Sequence, residues 1–249
     1  MPRARVLAVA FALCACLPGT ALAATTATMD AAFAPYRLGV ATTLSLGFRI
    51  SAGAGRIPSP LTGLDFHFPI NLGIATSGLG VATCPPAELQ ERGPSVCPPD
   101  SRMGSGSATV EIPVGARVET ERASLALLAG PSQEGYVRLL VTATGLSPVI
   151  ARVVIPSLLL PGHFKLAVPL VESLPEGPNV SVVRVHLTLG GNLTYYEPVD
   201  GKNVPYHPTG IGLPQSCPRG GFRFSTGFTF LDGGHAEART AVPCPRGRR

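Results

Sequence analysis

Apolar and polar residues alternate with a period of two over much of this chain, and this pattern constrains the fold more than any other feature. A residue on one face of a β-strand is followed by one on the opposite face, so the alternation predicts half-buried strands. Strands are also expected at Gly39–Ala52 and Ile150–Leu160. Many short strands with few helical segments predict an all-β fold, namely an antiparallel β-sandwich. The predicted apolar faces are Leu64, Phe66, Phe68 and Ile70; Ala108, Val110, Ile112 and Val114; Val137, Leu139 and Val141; Val183, Val185, Leu187 and Leu189; and Phe222, Phe224, Phe228 and Phe230.

Two segments depart from the strand pattern. Pro85–Gln90, where two prolines precede Ala-Glu-Leu-Gln, predicts a short helical turn. Gly104-Ser105-Gly106-Ser107 is rich in glycine but precedes a strand rather than a helix, so we expect a flexible turn and no phosphate site.

Cysteine usage predicts covalent cross-links. Six cysteines are encoded, and Cys14 and Cys16 fall within the leader described below. The four others, an even number in an exported chain, predict two disulfides, for which three pairings are possible. We favour the pairings between sequence neighbours, and a hairpin turn at Asp232-Gly233-Gly234 would return the last cysteine to its partner. A zinc site is disfavoured because no C-x2–4-C pair occurs. The favoured pairs are Cys84 with Cys97 and Cys217 with Cys244.

The N-terminus has the pattern of a signal peptide. Residues 1–23 contain a basic start, an apolar centre and an Ala21-Leu22-Ala23 cleavage site. Lipidation at Cys16 is the alternative. We expect a flexible segment at 24–35, one β-sandwich domain at 36–245 and a basic tail at 246–249. No later segment approaches the roughly 20 apolar residues of a membrane span.

Charge and motifs give no prediction of catalysis. The formal net charge is +5, and the loss of Arg3 and Arg5 with the leader leaves +3, too weak and dispersed a charge to indicate nucleic acid. Asp65 and His67 share a strand face, but no nucleophile or third ligand accompanies them in the sequence, so we interpret both as surface residues. No catalytic residue, metal site or cofactor is predicted.

The stretch from Asn192 to Ser216 lacks an apolar period and is predicted to be a long loop. It contains Tyr195, Tyr196 and Tyr206, three of the five tyrosines in the chain. Long loops in compact domains are often functional, and tyrosine-rich, asparagine-rich loops are common in binding surfaces. These three tyrosines are the candidate binding residues, and the alternative, which we favour, is that they cover an edge of the sandwich.

The cysteine regions resemble a family of uncharacterised secreted proteins of high-GC actinobacteria. The first motif runs from Cys97-Pro98 through Ser101 to Gly104-Ser105-Gly106, and the second runs from Cys217-Pro218-Arg219-Gly220-Gly221 through Phe230-Leu231-Asp232-Gly233 to Val242-Pro243-Cys244-Pro245. The resemblance implies export, disulfides and a β-rich fold, and it implies no activity or catalytic residue.

Three functional hypotheses follow. The first is an exported, non-catalytic protein, secreted or associated with the cell envelope, that adheres to an extracellular or cell-surface macromolecule. The second is a carrier that holds a small apolar molecule between its sheets, because hydrophobic residues form 45% of the chain and charged residues 14%. The third is a hydrolase whose catalytic residues meet only in space.

Overall fold

The computed structural model describes residues 25–74, 82–173, 175–190, 195–206 and 210–245. The predicted signal peptide, Cys16 and the basic tail lie outside these residues. A single α-helix, α1 (Pro86–Arg92), occurs in the described parts. The strands in chain order are β1 (Thr26–Ala34), β2 (Ala41–Ser51), β3 (Leu61–His67), β4 (Gly73–Ile74), β5 (Arg102–Val114), β6 (Arg117–Gln133), β7 (Tyr136–Gly145), β8 (Ala151–Leu159), β9 (His163–Ala167), β10 (Ser181–Gly190), β11 (Tyr195–Val199), β12 (Lys202–Tyr206), β13 (Ile211–Gly212), β14 (Phe222–Phe230) and β15 (His235–Val242).

Thirteen of the strands form two antiparallel sheets that face each other, which confirms the predicted fold class, and β11 and β12 form a separate two-stranded sheet. The large sheet has nine strands in the order β4-β13-β2-β10-β5-β6-β7-β8, with β1 paired to β2, and the small sheet has the order β15-β14-β3-β9. Disulfides join Cys84 to Cys97 and Cys217 to Cys244, as predicted. Among the described residues, no helix is long and apolar enough to cross a membrane.

The segment expected to be flexible, 24–35, is instead mostly a strand. Strand β1 pairs with β2 along its whole length, from Thr26 opposite Ser51 to Ala34 opposite Thr43. Its alternate residues pack on the core, but several of them are alanines, so the alternation in hydrophobicity is weak in the sequence. The strand is ordered by pairing with β2 and by packing against β15, two partners distant in sequence.

The core between the sheets is built on the phenylalanine face of β14. Phe222, Phe224, Phe228 and Phe230 are all at most 2% exposed, which confirms the predicted face. Phe222 packs edge-on against Phe33 of β1, with ring centroids 5.2 Å apart. Aromatic pairs in this geometry add attraction beyond the burial of their area. This cluster fixes how β14 and its neighbours lie on the large sheet.

The first disulfide loop covers part of the outer face of the large sheet. The predicted helical turn is confirmed as α1, whose Leu89 is fully buried with Leu128 and Leu140 of β6 and β7. Leu140 alternates with Leu139 and Val141 of the predicted inner face and so lies on the outer face of β7, where the disulfide loop buries it. The Gln90 side chain also bonds the edge of β8, donating to the Arg152 carbonyl and accepting from the Val154 N–H.

Two strands differ in detail from the prediction. A β-bulge between Val182 and Arg184 shifts the alternation of β10, so Val182 rather than Val183 faces inward. Residues 104–107 lie inside β5 and not in a turn. Glycine is needed at position 106 because a side chain there would collide with the His186 carbonyl of β10. Close approach of two strands therefore explains the glycines.

The disulfide between Cys217 and Cys244 closes a longer loop than the other, with 27 residues of separation against 13. On the loop-entropy model, replacing both cysteines of the longer loop by serine should lower the free energy of unfolding by about 3.5 kcal/mol, against about 3 kcal/mol for the shorter loop. Urea unfolding of the two double variants measures this. Unchanged stability in both would contradict the cross-linking role.

Candidate ligand-binding cavity

An apolar cavity of about 190 Å³ lies between the two sheets. Its floor is the inner face of β5, β6, β7, β8 and β10, bordered by β2 and β1, and its roof is β3, β9 and the segment that follows β9. The side chains that line it are valine, leucine, isoleucine, alanine, phenylalanine and methionine almost throughout. A cavity of this kind tends to exclude water and to accept apolar molecules.

Small side chains on the floor create the space. Ala108 of β5 and Ala123 of β6 are cross-strand partners, and Ala143 of β7 and Ala151 of β8 also line the cavity. Larger residues at these inward positions would fill the gap between the sheets. The individual alanines can be read from the sequence. That they form a row depends on the order of the strands in the sheet, which the sequence does not give.

The cavity meets solvent beside β8 and the segment after β9. Strand β9 pairs with β3, and the Ser157 hydroxyl of β8 donates to the Lys165 carbonyl of β9. The Arg152 and Val154 backbone groups of β8 bond to the Gln90 side chain.

Leu170 lines the cavity and is 44% exposed, so it lies at the mouth. In the loop between β7 and β8, Leu146 is 73% and Ile150 is 87% exposed. Gly145 and Val149, which adjoin these residues in the chain, line the cavity.

Glu121 is the only charged side chain among the described residues that line the cavity. It is 4% exposed, and its carboxylate accepts three backbone hydrogen bonds from the β7–β8 loop. The Leu146 and Ser147 N–H groups donate to Oε1 at 2.8 and 3.1 Å, and the Val149 N–H donates to Oε2 at 3.0 Å. These bonds compensate for burial of the carboxylate and hold the loop at the mouth. No local pattern in the sequence marks Glu121, because its three partners lie 25 to 28 residues away.

A second, smaller cavity of about 50 Å³ lies toward the opposite end of the sandwich. Phe66, Leu127 and Phe164 line both cavities and so stand between them. Phe66 and Phe164 have ring centroids 5.1 Å apart. The larger cavity therefore ends at this aromatic pair, and its open side is the mouth at Leu170.

Asp65 and His67 lie on the outer face of the small sheet, away from the cavity. His67 Nε2 and Lys165 Nζ each lie 3.1 Å from an oxygen of Asp65, and the His67 ring stacks on His163 with centroids 5.6 Å apart. In the parts of the chain that the structure describes, no three His, Cys, Asp or Glu side chains are grouped to hold a metal ion. The arrangement is that of a solvated ion-pair cluster.

The same outer face carries a second ion pair. Arg239 Nε lies 2.6 Å from Glu237 Oε1, and this hydrogen bond lowers the pKa of Glu237 below its ordinary value. Both side chains are at least half exposed, so the pair contributes little to stability.

The three candidate tyrosines lie in one hairpin, so the prediction of a long loop was wrong for residues 195–206. Tyr195 is the register partner of Tyr206, and Tyr196 is that of Pro205. The turn is Asp200-Gly201, where both residues have positive φ, at 49° and 74°. Asp-Gly is a strong sequence signal for such a turn, so the hairpin was predictable from these two residues. Tyr196 is 60% exposed.

Comparisons of the chain with models of protein families, with curated proteins and with solved structures find no match.

The three hydrogen bonds to Glu121 predict a specific effect of its removal. Glu121→Ala would leave the Leu146, Ser147 and Val149 N–H groups without their acceptor, which should lower the free energy of unfolding by about 2–3 kcal/mol. Hydrogen exchange at these three amides should become faster. Glu119→Ala, an exposed carboxylate on the same strand, is the matched control. Equal exchange in both variants would contradict the role of Glu121.

Proposed function

We propose that this protein is a non-catalytic carrier that binds a small apolar molecule between its two sheets. The observation that carries the proposal is the cavity of about 190 Å³, lined by apolar side chains and open beside Leu170. A shaped apolar pocket with one polar group is the usual form of a small-molecule site.

The energetics of the cavity favour an occupant. Cavities left by truncated side chains destabilise proteins by roughly 24 cal/mol per Å³. By the same measure, an empty space of this volume would lower the free energy of unfolding by about 4–5 kcal/mol. A ligand that makes dispersion contacts with the alanines and valines of the walls would recover part of this free energy. Binding would then stabilise the fold in proportion to ligand concentration.

We further propose that the carrier is exported and works in the cell envelope or the medium. Residues 1–23 have the pattern of a signal peptide, and the resemblance to secreted actinobacterial proteins supports the same destination. Both disulfides are consistent with an oxidising compartment. Leu170, which lines the cavity and is exposed, would give an apolar molecule an apolar contact as it enters.

Filling the cavity should abolish binding. In Ala143→Phe, a ring would project from the floor of β7 into the space, so the affinity for the neutral fluorescent probe 1-aminoanthracene should fall at least tenfold. Fluorescence titration of the solvent-extracted protein measures the affinity, and thermal unfolding checks that the variant folds. Ala241→Phe places the same ring on the exposed side of β15 and should bind like wild type.

Native mass spectrometry of protein from its producing culture gives an independent test. A passenger mass that disappears on denaturation would support the carrier and identify its cargo. A wild-type protein that holds no passenger and takes up no probe would overturn the proposal.

The hairpin β11–β12 supports a second candidate function, adhesion to an extracellular or cell-surface macromolecule. It forms a two-stranded sheet of its own, separate from the sandwich. Tyr196, Val199 and Val204 are 60%, 48% and 43% exposed, which is a high apolar content for a solvated hairpin. Exposed apolar clusters with tyrosine are typical of protein-binding surfaces.

Replacing the three tyrosines tests this second function. If the hairpin binds the producing cells, the triple variant Tyr195→Ser, Tyr196→Ser and Tyr206→Ser should lose attachment in a cell-pelleting assay. Tyr136→Ser, which changes an exposed tyrosine at the β6–β7 turn, is the matched control. Attachment that survives in the triple variant would exclude the hairpin.

A further inference from the structure

The cavity has an unbalanced charge. Glu121 is the single ionisable side chain on its walls, and no lysine, arginine or histidine is among the described residues that line it. The roof is as apolar as the floor, since it consists of β3, β9 and the Val168–Val171 segment. An anionic group drawn inside would therefore meet a carboxylate and no cation.

The carboxylate of Glu121 has one acceptor position to spare. An ionised carboxylate offers about four lone-pair positions. Oε1 accepts from Leu146 and Ser147, whereas Oε2 accepts only from Val149, which itself lines the cavity. A hydroxyl group on a ligand could donate to the remaining position of Oε2. A ligand carboxylate has no hydrogen to donate there.

We propose that the cavity selects uncharged, hydroxyl-bearing aliphatic ligands, the class of long-chain alcohols and monoacylglycerols, and rejects fatty-acid anions. The inference rests on the proposed carrier function and names the ligand class of the same cavity. The aliphatic chain lies between the sheets, with its closed end toward Phe66 and Phe164. The hydroxyl group lies near the mouth and donates to Glu121.

Two physical effects act against a fatty-acid anion. Burial of a carboxylate without a hydrogen-bond donor or a cation carries a large desolvation penalty. Repulsion between two like charges is also stronger in the cavity than in water, because the effective dielectric constant is lower there. The N–H groups that could have stabilised a ligand carboxylate are already bonded to Glu121.

Competition among three ligands with the same decyl chain tests the selectivity. Displacement of 1-aminoanthracene from the solvent-extracted full chain at pH 7.5 gives the affinity of 1-decanol, decyl methyl ether and decanoate. We expect 1-decanol to bind at least tenfold more tightly than decanoate, and severalfold more tightly than the ether, which lacks a donor. Decanoate binding within threefold of 1-decanol would overturn the rejection of anions, and an ether equal to 1-decanol would overturn the role of the hydroxyl group.

A charge placed at the mouth provides a second test. Leu170→Lys should raise the affinity for decanoate at least fivefold relative to 1-decanol, because the lysine supplies the missing cation. Leu231→Lys, at an exposed position of the β14–β15 turn that does not line the cavity, should leave the ratio unchanged. If the ratio of the affinities for decanoate and 1-decanol is the same in both variants, the inference is contradicted.

The outcomes separate this inference from the carrier function. If no ligand and no probe binds the wild-type protein, the carrier function fails, and the selectivity fails with it. If all three decyl ligands displace the probe equally, the cavity is a binding site and only the selectivity is overturned.

Discussion

The small sheet meets the large sheet at both of its edges, and the rest of the structure depends on how the space between the two sheets is filled. Strand β15 contacts β1 at one edge, and β9 contacts β8 at the other. The aromatic face of β14 fills the part beneath β1 and β2. Over β5 to β8 the cover consists of β3, β9 and the chain that follows β9. The cavity lies mostly in this second part, where the inward side chains include four alanines, and it extends to Met29 of β1 and to Leu46 and Phe48 of β2.

A cavity of this kind persists only if the sheets cannot collapse into it. The phenylalanine cluster sets the separation of the sheets on one side. On the outer face, α1 and the Cys84–Cys97 disulfide pack on Leu128 and Leu140, so the middle of the large sheet is covered on both faces. Hydrogen bonds of the Gln90 side chain with the Arg152 carbonyl and the Val154 N–H tie the free edge of β8 to α1. Rigid contacts around the space thus keep its volume available for a ligand.

The polar chemistry of the cavity is concentrated in Glu121. Its carboxylate accepts hydrogen bonds from three N–H groups of the β7–β8 loop and so holds that loop in place. The same carboxylate gives the cavity wall a negative charge. The ion pairs on the outer face of the small sheet, including Asp65 with His67, are solvated and separate from this site. The proposed function and ligand class both follow from the apolar walls together with this one carboxylate.

The sequence by itself determined the strands with strong alternation, the helical turn and the two disulfides, because each depends on residues close together in the chain. The phenylalanine face of β14 and the pairing of Cys217 with Cys244 across its hairpin are examples. Strand β1, the burial of Leu140 and the bulge at Val183 required partners remote in sequence. Only the tertiary structure decided the cavity: Ala108, Ala123, Ala143 and Ala151 come from four strands, and Glu121 is bonded to a loop 25 to 28 residues away. Strand order places these residues together, and it is not encoded in a local pattern.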